Sequence, residues 1–136
     1  MEQIMATVVR EIVVEASPEA VWAIVGDFAD GPMRMSGGAL TESRMVGPDV
    51  RELTFADGTV AQERLVGRDA HARRLAYAWI GDEVSHDNTS MQVFAEAGGR
   101  SRVVWTHDTL PDELTDWLAT TMDRTTPLLQ RHLAAG

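Results

Sequence analysis

Five turn signals divide the stretch from Ala39 to Leu110, and they constrain the fold more than any other feature of the chain. They lie at Gly47-Pro48-Asp49, Ala56-Asp57-Gly58, Arg68 to Ala72, Gly81-Asp82 and Gly98-Gly99, with short segments of strand composition between them. Such punctuation predicts an antiparallel meander of six strands. The remainder, Pro111 to about Ala135, reads as one long amphipathic helix. Leu114, Trp117, Leu118, Thr121, Met122, Thr125, Leu128, Leu129 and His132 fall along one stripe of it. Pro127 lies inside that helix, and a mid-helix proline loses one backbone hydrogen bond, so a kink is expected near Asp123 to Pro127.

Ahead of the meander, Val8 to Glu15 is rich in β-branched residues and reads as a further strand. Ser17 then supplies a helix N-cap and Pro18 fits the first helical position. Val21, Ile24, Val25 and Phe28 follow at helical spacing. Gly26 and Gly31-Pro32 limit this short helix, and Met33 to Gly38 reads as a broken second helix or loop.

The 136 residues suit one compact domain, 1–136, with a core large enough to enclose a pocket. Twelve basic against 21 acidic side chains leave a net charge of −9, which repels phosphate backbones and anionic lipid. Nucleic acid and membrane are therefore poor partners. There is no cysteine, hence no disulfide, thiolate metal site or cysteine nucleophile. Met1 to Thr7 shows no basic region followed by an apolar core, and no segment is long and apolar enough to span a bilayer, so a soluble, cytoplasmic monomer or homodimer is expected.

The order of elements, together with "ASPEAVWAIVGDF" (Ala16 to Phe28), "DGTVAQERL" (Asp57 to Leu65), "YAW" (Tyr77 to Trp79) and "GGRSRVVW" (Gly98 to Trp105), resembles the START/Bet v 1-like helix-grip superfamily. The likeness extends over essentially the whole chain, and is nearest to the SRPBCC polyketide cyclase/dehydrase-like members. It implies an α+β fold: a seven-stranded curved antiparallel sheet wrapped around the long C-terminal helix, two short helices between strands 1 and 2, and a ligand cavity between sheet and helix. Relatives often carry a Trp and a Pro after the "DF" element, where this chain has Met33-Arg34-Met35-Ser36.

Strand parity then selects the inward side chains. A three-residue loop at Ala56-Asp57-Gly58, with Gly58 left-handed, pairs Leu53 with Ala61 and Arg51 with Glu63. Arg51, Leu53, Phe55, Ala61, Glu63 and Leu65 then face inward, joined by Leu75, Tyr77 and Trp79. Across the Gly98-Gly99 turn, apolar matching pairs Val93 with Val103 and Met91 with Trp105. Thr89 then meets His107, Asp87 meets Thr109, and Asp87 and His107 become diagonal neighbours.

Five ionisable or phenolic groups, Arg51, Glu63, Tyr77, Asp87 and His107, thus share an otherwise apolar face. Buried charge is costly unless paired, so these groups either neutralise one another or border a wet cavity. Arg51 and Glu63, with Tyr77 beside them, read first as a structural ion pair and second as an oxyanion stabiliser with a proton-exchanging partner. The resemblance favours an interior arginine and tyrosine, matched here by Arg51 and Tyr77. His107 with Asp87 reads as a general base or as a rim histidine bonded to Thr89 or solvent.

Met35, Phe55, Trp79, Thr89, Met91, Trp105, Trp117 and Met122 are candidate ligand contacts. So are Thr121, Thr125 and His132 on the helix, and Arg34 at the mouth. Strand alternation turns His86 and Asp108 away from Asp87 and His107, so no metal site is expected.

The expectation is a cavity that takes a small hydrophobic or polyketide-like molecule and performs cofactor-free acid-base chemistry on it, as a lyase- or isomerase-type cyclase or dehydratase. A non-catalytic carrier or sensor is the alternative, and a protein-interaction module a third. A sealed interior, without a pocket of about 300 Å³, would exclude the enzyme.

Overall fold

A computed structural model describes residues 6–135. Most of the segment Met1 to Thr7, and the domain limits 1 and 136, lie outside the described residues. The element order is β1 (Ala6–Val14), α1 (Pro18–Val25), α2 (Gly31–Ser36), β2 (Leu40–Met45), β3 (Val50–Phe55), β4 (Val60–Asp69), β5 (Arg74–Ile80), β6 (His86–Glu96), β7 (Arg100–Leu110) and α3 (Thr115–Ala135). All seven strands form one antiparallel sheet in the order β1-β7-β6-β5-β4-β3-β2. The expected meander is present, with β1 closing onto β7, but the β4–β5 turn falls at 70–73, later than Arg68 to Ala72, because Arg68 and Asp69 still pair with Leu75 and Arg74.

The register also follows the expected parity. Arg51 opposes Glu63 and Leu53 opposes Ala61, through a loop in which Gly58 has φ +91°. On the other side Met91 opposes Trp105, Thr89 opposes His107 and Asp87 opposes Thr109. An irregularity between Leu65 and Gly67 shifts β4 against β5 and sets Leu65 opposite Tyr77 and Glu63 opposite Trp79. Bulges of this kind bend the bulged strand and increase local twist.

Two helix boundaries differ from expectation. α2 starts at Gly31 rather than Met33, because Pro32 occupies the first turn, where its missing N–H costs nothing. It ends at Gly37, in the left-handed conformation at φ +60°. α3 starts at Thr115 instead of Pro111, behind a single 3-10 turn over Asp112–Leu114. It runs unbroken through Pro127. Just ahead of the proline, the Thr125 and Thr126 hydroxyls donate to the carbonyls of Thr121 and Met122, each at 2.8 Å.

The main core joins β1, β6 and β7 to α1 and α3 through Val8, Ile12, Val21, Val93, Val103 and Leu133, among others. α3 packs chiefly on β1 and α2. Arg10 Nε meets Asp123 Oδ1 at 2.6 Å, and the Gln130 amide donates to the Val13 carbonyl at 2.9 Å. The helix is thereby held at one end of the sheet. Over β3 to β5 the inner face has no such close cover, and the space remains open.

Candidate functional site

That space is a cavity of about 670 Å³ between the sheet, α2 and α3. Its wall is mostly apolar. Of the candidate ligand contacts, Met35, Phe55, Trp79, Met91, Trp105 and Trp117 line it, as do Thr121, Met122 and Thr125. Residues of the β3–β4 hairpin (Asp57, Val60), Glu83 and Trp117 combine cavity lining with exposure and mark the mouth. Trp117 is 54% exposed, with its ring centroid 5.7 Å from that of Trp79.

Arg51 and Glu63 both reach the wall, and the guanidinium is fully engaged. Its Nε and Nη2 converge on one oxygen, Glu63 Oε1, at 2.8 and 2.6 Å. Nη1 donates to the Phe28 carbonyl at 2.9 Å. The guanidinium carbon lies 4.2 Å from the centroid of the Phe28 ring and 4.6 Å from that of Tyr77. A charge held by a carboxylate, a carbonyl and two aromatic rings is arranged as a strut between the segment after α1 and the β3–β4 pair. The second carboxylate oxygen of Glu63 takes no part in this pairing.

His107 is held in a different way. The Asp87 carboxylate, buried behind it, accepts from the Thr109 hydroxyl at 2.6 Å, the Trp79 backbone N–H at 2.8 Å and the Thr89 hydroxyl at 3.0 Å. Burial by itself would raise the Asp87 carboxyl, but hydrogen bonds from His107, Thr109 and Trp79 outweigh it and hold the group below the usual carboxylate range. The ring Nδ1 of His107 stands 2.8 Å from Thr89 Oγ1 and 3.2 Å from Asp87 Oδ1. The single Thr89 proton goes to Asp87 and an ionised carboxylate only accepts, so Nδ1 must be the donor. In the neutral form of this ring, which lines the cavity, Nε2 carries the lone pair. Asp87 and Thr89 fix this tautomer from behind.

Tyr77 lies diagonal to Glu63 and is pushed well above the ordinary phenol range, by burial first and by the Glu63 charge second. It remains a neutral donor at every physiological pH.

Several candidates fall elsewhere. Asp87 and Thr89 lie outside the wall and reach the cavity only through His107. Arg34 is exposed on α2 and does not line the cavity. His132 packs against Gly37 rather than facing the ligand space. Conversely, Val25, Pro32, Ser36 and Leu129 line the cavity without having been candidate ligand contacts, as do Glu83 and Asp57, the latter a residue of an expected turn. The early start of α2 at Gly31-Pro32 was the signal that would have brought Pro32 and Ser36 in. Among the described residues, no group of three or more His, Cys, Asp or Glu is arranged to hold a metal ion, and no helix is long and apolar enough to cross a membrane.

Solved structures share this architecture. An uncharacterized protein from Bacillus thuringiensis superposes with a TM-score of 0.80 at 23% identity, over 94% of this chain and 98% of that one. XoxI from Bacillus cereus gives 0.77 at 24%, over 96% and 94%. The Zhui aromatase/cyclase from Streptomyces sp. R1128 gives 0.73 at 18%, over 96% and 92%. No curated protein matches in sequence. The family profile described as "Polyketide cyclase / dehydrase and lipid transport" matches residues 5–135. With a seven-stranded sheet gripping a C-terminal helix and a family match over nearly its whole length, the chain belongs to the polyketide cyclase/dehydrase and lipid transport family of helix-grip proteins.

Proposed function

We propose that the cavity binds a small apolar, oxygenated molecule and that His107 acts on it as a general base, in cofactor-free chemistry of the cyclisation, dehydration or addition type. The observation that carries this reading is the open Nε2 of His107 in an apolar cavity, backed by a carboxylate that fixes its tautomer. The base removes a proton beside a ligand carbonyl while the wall holds the molecule in a folded, reactive conformation. All twelve basic residues are arginines, so a lysine imine is not an available way to activate that carbonyl. Tyr77, neutral and in the wall, serves as a hydrogen-bond donor to developing negative charge. Family membership and the aromatase/cyclase neighbour support the reaction class.

Carriage without chemistry is the second reading. It is supported by the engagement of Arg51 with Glu63 and Phe28, which leaves no free arginine in the cavity wall among the described residues, and by lipid transport in the family description.

Native mass spectrometry of the protein from its own cell extract names the ligand class through a retained molecule. Turnover of that class by the wild type, reduced about 10²–10⁴-fold in His107→Gln with binding kept within a few-fold, is the expected result. Turnover unaffected by His107→Gln refutes the base assignment, and tight binding with no turnover selects the carrier.

A further inference from the structure

Glu63 presents a feature that neither the base nor the ion pair uses. Both bonds from Arg51 end on Oε1, at 2.8 and 2.6 Å. Oε2 has no hydrogen bond among the described residues, and the Tyr77 hydroxyl, diagonal to it, supplies none. The side chain is 15% exposed. Oε2 is not one of the sealed polar atoms that lack a partner, so it keeps open surface, and the space that Glu63 lines is the cavity. A carboxylate oxygen only accepts, and unfilled lone pairs in an apolar wall call for a donor.

The chemistry of that donor is narrow. A ketone, ether or carboxylate oxygen would set lone pair against lone pair. An ammonium would come to rest beside the Arg51 guanidinium, which shares the same carboxylate and already balances its charge. A hydroxyl fits: it brings one proton and no charge, and its bond to a carboxylate is charge-assisted. Its place relative to the base follows from the register. Glu63 opposes Trp79 on β5, whereas His107 opposes Thr89 and Thr89 opposes Tyr77. The two therefore stand three strands apart and two residues out of line, roughly 16 Å measured along the curved sheet at about 4.8 Å per strand. At that separation they meet opposite ends of a ligand rather than one group.

We propose that Glu63 is a specificity-determining residue whose Oε2 accepts a hydrogen bond from a ligand hydroxyl, at the end of the molecule remote from the proton that His107 removes. This rests on the proposed binding of an oxygenated molecule and deepens it. The ligand is a hydroxylated compound met at one end by the base and at the other by Glu63, while Arg51 holds the carboxylate in place.

The test compares 2,6-dihydroxynaphthalene with 6-methoxy-2-naphthol by isothermal titration calorimetry. Both offer Nε2 of His107 one hydroxyl; at the far end the first brings a proton and the second only an oxygen. Wild type is expected to bind the diol about tenfold more tightly. In Glu63→Gln the amide oxygen stays on Arg51 and the NH2 takes the place of Oε2, so both probes can accept from it and the preference should vanish. Arg51→Met combined with Glu63→Leu removes the acceptor together with its counterion, guards against a folding defect, and should equalise the probes as well. A Glu63 that only braces Arg51 would weaken both probes alike and leave their ratio unchanged, so a preference that survives these variants overturns the proposal. Equal binding of both probes by wild type overturns it while leaving the cavity reading intact. Binding of neither probe overturns both together.

Discussion

At the scale of single residues, the two constellations on the inner face behave as opposites. Arg51 is committed on every side, so removing it strands the Glu63 carboxylate in the wall. Arg51→Met is expected to cost about 3–5 kcal/mol in urea denaturation, while Arg51→Met combined with Glu63→Leu recovers most of the loss. Asp87 ties stability to pH. Its folded-state pKa is depressed, so its contribution is fully present above the unfolded-state value of about 3.9 and is lost as pH falls through the lower folded-state value. Urea midpoints measured from pH 6 to pH 3 should fall towards the acid end in wild type, and less steeply in Asp87→Asn.

The sequence made the pairing of these groups legible, because strand parity has a period of two and each hairpin turn pins its phase. It did not show that Arg51 is fully engaged. Its third partner, the Phe28 carbonyl, comes from 23 residues away, and no local pattern records a contact of that range.

Elements were easier to read than the contacts between them. Ser17 and Pro18 begin α1 as their chemistry requires, with the Ser17 hydroxyl accepting from the Ala20 N–H at 3.2 Å. The start of α2 was missed because Gly-Pro is a stop signal after one helix and a start signal before the next. The end of α2 depends on an α3 residue too. Gly37 is left-handed, and a Cβ there would collide with the His132 ring. Gly37→Ala is expected to lose at least about 1–2 kcal/mol of stability from the backbone alone. In a His132→Ala background the loss should shrink to that backbone part, a difference that a double-mutant cycle in urea measures.

For the whole molecule, the position of α3 decides that there is a site at all. By packing on β1 and α2, the helix leaves β3 to β5 to curve around space rather than around side chains. A ligand filling that space binds only the folded state. At a hundred times its dissociation constant it should add about 2.7 kcal/mol of stability and raise the melting temperature by roughly 8–12 °C in differential scanning calorimetry. Burial of the apolar wall should also make the binding heat capacity negative in titrations at several temperatures.

β7 ties these scales together. On one face, at alternate positions, it carries Val103 of the core, Trp105 and His107 of the cavity wall, and Thr109, which secures Asp87. Point substitutions can alter these one at a time. Deletion of a single residue between Trp105 and His107 is different, because it reverses the inward and outward faces for everything on one side of the cut. The strand would be one residue shorter and keep most of its ladder, yet Trp105 and His107 could no longer face the same space. Length is therefore the property of β7 that the site tolerates least, whereas a turn can take an added residue without reversing a face.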